Sequence, residues 1–150
     1  MSHFTLQIDA QGGPILNVAL AVSEARSAAL VAAGQPVPAI VPMRALLDTG
    51  ASSTCIDPSV LTGALGLTPT GQTDCFTPST GTTPAKKNLY DVSLRILSTL
   101  TDPSLYFPTI AVMESDLFAA QGIHALIGRD VLSRCLLTYN GVTNLFTLAF

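Results

Sequence analysis

The chain has 150 residues, a net charge of −3 and a pI near 5.0, and its largest basic cluster is the pair Lys86-Lys87, which argues against nucleic-acid binding. Hydrophobic residues make up 48% and charged residues 11%, so one domain spanning 1–150 is expected, with a real core and enough surplus apolar material for a subunit interface or an apolar cleft. Three scattered cysteines, Cys55, Cys75 and Cys135, form no C-x-x-C motif, which speaks against a disulfide framework and for a reducing, cytoplasmic compartment.

The start MSHFTLQIDA lacks a basic segment followed by an apolar one, and Glu24 and Arg26 interrupt the apolar stretch 15–33. Neither a signal peptide nor a membrane partner is expected. Phe4 to Asp9 alternates apolar and polar residues, Gly12-Gly13-Pro14 punctuates, and Ile15 to Val22 reads as a second strand, so the chain is expected to open on a hairpin. Glu24 to Ala33 suits a short helix ended by Gly34, and Pro36, Pro38 and Pro42 then impose an extended approach to a strand over Met43–Leu47.

Asp57 is a suitable N-cap, with Pro58 at the first helical position, for a helix through Leu65 ended by Gly66. Gln72–Thr77 and Asn88–Leu97 read as a long hairpin around the turn Pro78-Ser79-Thr80-Gly81. Leu105–Met113 and Ala125–Ile127 supply further strands, Arg129–Cys135 a short helix, and Leu136–Tyr139 and Asn144–Phe150 flank a loop containing Asn140-Gly141. Strands dominate, giving an all-β class.

The stretch ALLDTGASSTC at 45–55 carries the chemistry. An aspartate just past a strand serves as a turn residue in many proteins, because its carboxylate bonds the backbone ahead of it. Here Asp48-Thr49-Gly50 is followed by the small residues Ala51 and Ser52, and a second apolar strand, ALIGRDVL at 125–132, lies downstream. In this order and spacing the two motifs resemble those of the retropepsin-like aspartic proteases, the retroviral protease family and its cellular and bacterial relatives. The resemblance runs from the first hairpin to the last strand.

That resemblance implies a closed β-barrel, half of an acid-protease fold, with one or two short helices. It also implies an aspartic endopeptidase with no cofactor and no metal. Hydrolysis by this route needs two carboxylates sharing a proton, one to activate water and one to protonate the substrate carbonyl. The chain has one Asp-Thr-Gly and no second, so the partner carboxylate is expected from a second copy in a two-fold homodimer. Such a dyad titrates in two separated steps, which favours activity at acid to mildly acid pH.

By the same resemblance Asp48 is catalytic, the Thr49 hydroxyl braces the dyad across the dimer, and Gly50 leaves room for substrate backbone. Ala51, Ser52 and Ser53 continue along the cleft floor, where retroviral members carry acidic residues. Leu126 and Ile127 lie beside the active-site loop and against substrate, Gly128 permits close packing, and Arg129-Asp130 open the short helix in structural roles. The partner of Arg129 is open between Asp57 and the other subunit. Residues 76–84, including Thr80 and Gly81, occupy the place of the flap that covers bound peptide, although the segment is poorer in glycine than retroviral flaps; a plain surface hairpin is the other reading. The apolar strands Phe4–Ile8 and Leu145–Phe150 are expected at the dimer interface, the alternative being pairing within their own subunit.

Other constellations are weaker. Cys55 with His124 has no spacing that shows a thiol-protease pair, two histidines and three cysteines make no metal-ligand pattern, and Gly12-Gly13 is no phosphate loop. The expected partners are therefore a second copy and a peptide or protein substrate. A retropepsin-like dimer that binds peptide with little turnover is the alternative to an active protease.

Overall fold

The computed structural model describes residues 2–77, 80–97, 104–117 and 119–150. In β2 (Ile15–Val22) the alternating pattern turns Leu16, Val18, Leu20 and Val22 inward, each at most 2% exposed. This strand pairs antiparallel with β3 (Val41–Leu47) on one side and with β6 (Ala85–Leu97) on the other. From β3 the sheet continues through β8 (Ile123–Ile127), β4 (Cys55–Ile56) and β7 (Leu105–Glu114) to β6, so six strands close a barrel. Closure leaves no free edge among those six. β5 (Gly71–Cys75) pairs with the first part of β6 and projects from the barrel as one arm of a hairpin.

The core is continuous, with Leu20, Ile56, Leu61, Leu94, Ile96 and Ile127 fully buried inside the ring. β3 and β8 run parallel, with Leu46 opposite Leu126 and Leu47 opposite Ile127. A parallel pair needs a long crossover, and the chain from 48 to 122 supplies it. Four helical pieces decorate the barrel among the described residues, one of them the short turn Ala119–Gln121 before β8. α1 (Glu24–Ala32) is capped by the Ser23 hydroxyl, which accepts the Arg26 N–H at 3.3 Å, and the chain leaves it at Gly34 in a left-handed conformation. Ser59–Ala64 forms a π-helical turn following Asp57 and Pro58, and α2 (Arg129–Leu132) follows β8. No helix among the described residues is long and apolar enough to cross a membrane.

One expectation about the ends of the chain is corrected. β1 (His3–Gln7) and β2 do not form a hairpin: the chain turns at Asp9, whose Oδ1 accepts the N–H groups of Gln11 and Gly12 at 3.0 and 2.7 Å, but the strands then part. Both edges of β2 are already taken by β3 and β6, so β1 pairs instead with β10 (Leu145–Ala149). β10 also pairs with β9 (Leu136–Asn140), giving a separate three-stranded sheet in the order β1-β10-β9. The two terminal strands are therefore partners of each other within one chain. Phe4, Phe146 and Leu148 from this sheet join the main core.

Candidate active site

Asp48 stands where β3 ends. Its N–H donates to the Ile127 carbonyl at 3.0 Å, which ties the turn to the last residue of the parallel neighbour β8. Oδ1 then accepts the N–H groups of Gly50 and Ala51 at 2.8 and 3.3 Å, the self-bonding that suits aspartate to such a turn. Oδ2 has no partner among the described residues. One oxygen is thus fixed by the backbone.

The rest of the ALIGRDVL motif is folded against this loop. Arg129 donates from Nη1 to the carbonyls of Thr49 and Gly50 at 2.8 and 2.9 Å, and its own N–H donates to the Ala51 carbonyl at 2.9 Å. Arg129 thus pairs with backbone of its own chain and not with Asp57. That carboxylate is occupied elsewhere, accepting the Ser59 N–H and hydroxyl at Oδ1 and the Leu117 N–H at Oδ2. Burial pushes the Asp57 pKa up, but these donors and the nearby His124 outweigh it and hold the carboxyl below its usual range.

Asp130 does more than open a helix. Its two oxygens accept the N–H and the hydroxyl of Thr54 at 2.9 and 2.8 Å, and Oδ1 also accepts the Val131 N–H at 2.9 Å. The Thr54 hydroxyl in turn accepts the Gly128 N–H at 3.2 Å. Thr54 is fully buried, so this small network is the internal strut that joins the far end of the Asp48 loop to the start of α2. Gly128 is indispensable to it, since a Cβ there would lie 2.6 Å from the Ser53 carbonyl carbon.

A cavity of about 420 Å³ opens beside Asp48. Gly50, Ala51, Ser52 and Ser53 line one side of it, and Leu126, Cys55 and Met113 form a cross-strand row on its floor, because Cys55 is the register partner of both of the others. Cys75, Phe76 and Thr77 bring the base of the β5–β6 hairpin to the opposite side. Its volume lies within the range of ligand clefts, as do those of two other hollows on the chain, and what sets it apart is the Asp48 carboxylate in its lining.

The structure thus brings together Asp48, Gly50, Ala51, Ser52, Ser53 and Leu126 around one cavity. Thr49 is exposed at the loop surface. Ile127, expected against substrate, is instead fully buried and touches the site through its carbonyl alone, because alternate residues of β8 face opposite ways. Thr80 and Gly81 lie in the hairpin turn outside the cavity lining, with the Thr80 hydroxyl bonded to both the N–H and the carbonyl of Thr77 at 2.9 Å. Pro78 and Ser79 of that turn fall outside the described residues.

Cys55, Cys75, Met113 and Thr54 are site residues that the sequence reading missed, whereas Phe76 opens the segment it assigned to the flap. Burial, followed by the neighbouring Cys75, pushes the Cys55 thiol up to about 11, and its Sγ lies 3.5 Å from the Ser53 carbonyl, to which it donates. A protonated thiol so placed is no nucleophile. Among the described residues no three His, Cys, Asp or Glu side chains converge as metal ligands would.

The chain is similar to a solved structure of a retropepsin-like aspartic protease from Rickettsia conorii, with a TM-score of 0.59 and 16% sequence identity, over 99% of this chain and 91% of that one. No family model matches the chain, and no curated protein matches its sequence. At that identity the likeness establishes the fold alone: a mostly β chain with a closed six-stranded barrel and few short helices is retropepsin-like.

Proposed function

We propose that the protein is an aspartic endopeptidase in which Asp48 from each of two copies forms a catalytic dyad. The observation that carries this reading is the Asp48 carboxylate at the mouth of the cleft, with Oδ1 held by two backbone N–H groups and Oδ2 unpartnered among the described residues. A single carboxylate so arranged is half of a proton-sharing pair. One chain supplies no second group of the kind, so the site is completed by a second Asp48 across a two-fold axis.

In the reaction the ionised carboxylate takes a proton from water while the protonated one gives its proton to the scissile carbonyl oxygen. The resulting tetrahedral diol collapses as a proton passes to the leaving amine, with no covalent enzyme intermediate. Gly50 lies beside the carboxylate without a side chain, its ideal Cβ position being 3.1 Å from Asp48 Oδ1. An extended substrate backbone would occupy that space, with Leu126, Cys55 and Met113 beneath an apolar side chain.

The test is cleavage of a diverse peptide library between pH 4 and 7 by the wild type and by Asp48→Asn, both shown first to be folded. Cuts made by the wild type alone, and blocked by a statine-type inhibitor, support the proposal. Silence from a folded wild-type dimer, or equal cutting by both proteins, overturns it.

A further inference from the structure

Two cysteines of the Asp48 cleft stand outside the proposed mechanism, and a role for them in turnover rests on that cleft being the site of peptide cleavage. All three cysteines of the chain are free thiols. Cys55 and Cys75 line the cavity beside Asp48, whereas Cys135 follows α2 and packs against the core. The pair arrives from different elements. Cys55 begins β4 on the cavity floor, and Cys75 ends β5 in the wall made by the hairpin base.

The strand register shows how they meet. Cys55, Met113, Leu89 and Gly71 form one row across β4, β7, β6 and β5, which in a flat sheet would set β5 about 14 Å from Cys55. Their common cavity shows that the hairpin curls back over the floor instead. Burial is the main cause of the raised Cys55 thiol, and among the charges that add to it Cys75 outweighs the carboxylates of Asp130 and Asp48. Asp130 is bonded to Thr54, the residue before Cys55, so a group that outweighs it is a close neighbour. The two thiols are also unequal: Cys75 is half-exposed, while Cys55 is buried with its S–H on the Ser53 carbonyl. An accessible thiol beside a sheltered one suits a peroxide-reactive cysteine and its resolving partner.

We propose that Cys55 and Cys75 form a reversible disulfide under peroxide, tying the hairpin base to the cleft floor and shutting the cleft against substrate. The Cys75 sulfur attacks one peroxide oxygen, the O–O bond breaks, and the thiol proton leaves with the other oxygen as water. Cys55, held beside the resulting sulfenic acid, then displaces its oxygen: the S–S bond forms, the S–O bond breaks, and the Cys55 proton leaves in a second water. Two thiols are thereby oxidised by two electrons and the peroxide is reduced to two waters. A disulfide holds its Cα atoms within about 7 Å, so the bond draws the hairpin base onto the row Leu126, Cys55 and Met113, where a substrate side chain would lie. In a reducing compartment such a bond is transient, and an added dithiol reverses it.

Hydrogen peroxide treatment followed by non-reducing peptide mapping tests this, beside peptide cleavage before and after dithiothreitol. A Cys55–Cys75 cross-linked peptide is expected in the wild type, in Asp48→Asn and in Cys135→Ser, because the bond uses neither of those side chains. Oxidised wild type should lose about tenfold or more in kcat/KM, and dithiothreitol should restore it. Cys75→Ser should show no such reversible loss. A Cys75 that stops at sulfenic or sulfinic acid, pairing of either cysteine with Cys135, or a Cys55–Cys75 bond that leaves turnover unchanged would each overturn the inference. A chain that forms the bond in both wild type and Asp48→Asn, yet cleaves nothing when reduced, would sink the protease reading and leave the disulfide standing.

Discussion

Asp130 grips Thr54 with both carboxylate oxygens, one on the backbone N–H and one on the hydroxyl, across 76 positions of sequence. The clamp fixes where the Asp48 loop returns to the barrel. Its loss should therefore register in stability and in chemistry together.

Thr54→Val keeps the shape and removes the hydroxyl, leaving the Gly128 N–H without its acceptor and one oxygen of Asp130 without its hydroxyl donor. Buried polar groups left unpaired cost about 1–3 kcal/mol each way. A fall in unfolding free energy of about 2 kcal/mol is expected in urea titrations, and a loss below about 0.5 kcal/mol would show that the strut is dispensable.

Arg129→Met removes the two bonds to the Thr49 and Gly50 carbonyls while keeping much of the stem. The side chain is exposed, so stability should move by no more than about 1 kcal/mol. Turnover should fall at least tenfold, in kcat more than in KM, because the loop that carries Asp48 loses its outer brace. Steady-state kinetics beside a thermal melt separates the two effects.

Gly128→Ala places a methyl group 2.6–2.7 Å from the Ser53 carbonyl, and those are backbone atoms that cannot swing aside. Overpacking of this kind costs about 1–3 kcal/mol or more. Depressed melting temperature and poor soluble yield are expected, and a variant as stable as the wild type would contradict the packing described.

Asp57 sets an acid limit. Its pKa is depressed in the folded chain, so its contribution to stability is fully present above the unfolded carboxylate value of about 4 and is lost as pH falls through the folded value. Denaturant midpoints should decline below about pH 4, with a shallower slope in Asp57→Asn. An unchanged slope in that variant would assign the acid sensitivity to other groups.

The cysteines should react in a fixed order. With the Cys55 thiol raised to about 11, about one molecule in a thousand is a thiolate there at pH 8. Iodoacetamide followed by peptide mapping should label the half-exposed Cys75 well ahead of Cys55. Equal labelling rates would mean that the cavity floor opens to solvent.

The barrel strands and the Asp48 motif were legible because they are local. Alternation in Ile15–Val22, the apolar run before Asp48 and the glycines at 34 and 66 each state their structure within a few residues, and both glycines do adopt positive φ. What stayed hidden depends on pairing. β4 has two residues and no pattern of its own, so its place between β8 and β7, which puts Cys55 beside Leu126 and Met113, follows only from the closed ring. The partners of β1 and Arg129 were likewise missed, since an occupied edge on β2 and a carboxylate already spent on Ser59 are facts of three dimensions.

The long reach of these contacts has a consequence for how the molecule comes into being. The Asp48 loop closes on Gly128, Arg129 and Asp130, and residues 3–7 find no strand neighbour until 145–149 have been made. Such distant pairings form slowly, because chain entropy is spent before contacts return it. During synthesis the Asp48 loop emerges well before Arg129 and Asp130, whose contacts with it span 80 and 76 positions. A growing chain therefore carries the Asp48 loop without its braces until those distant residues have been made.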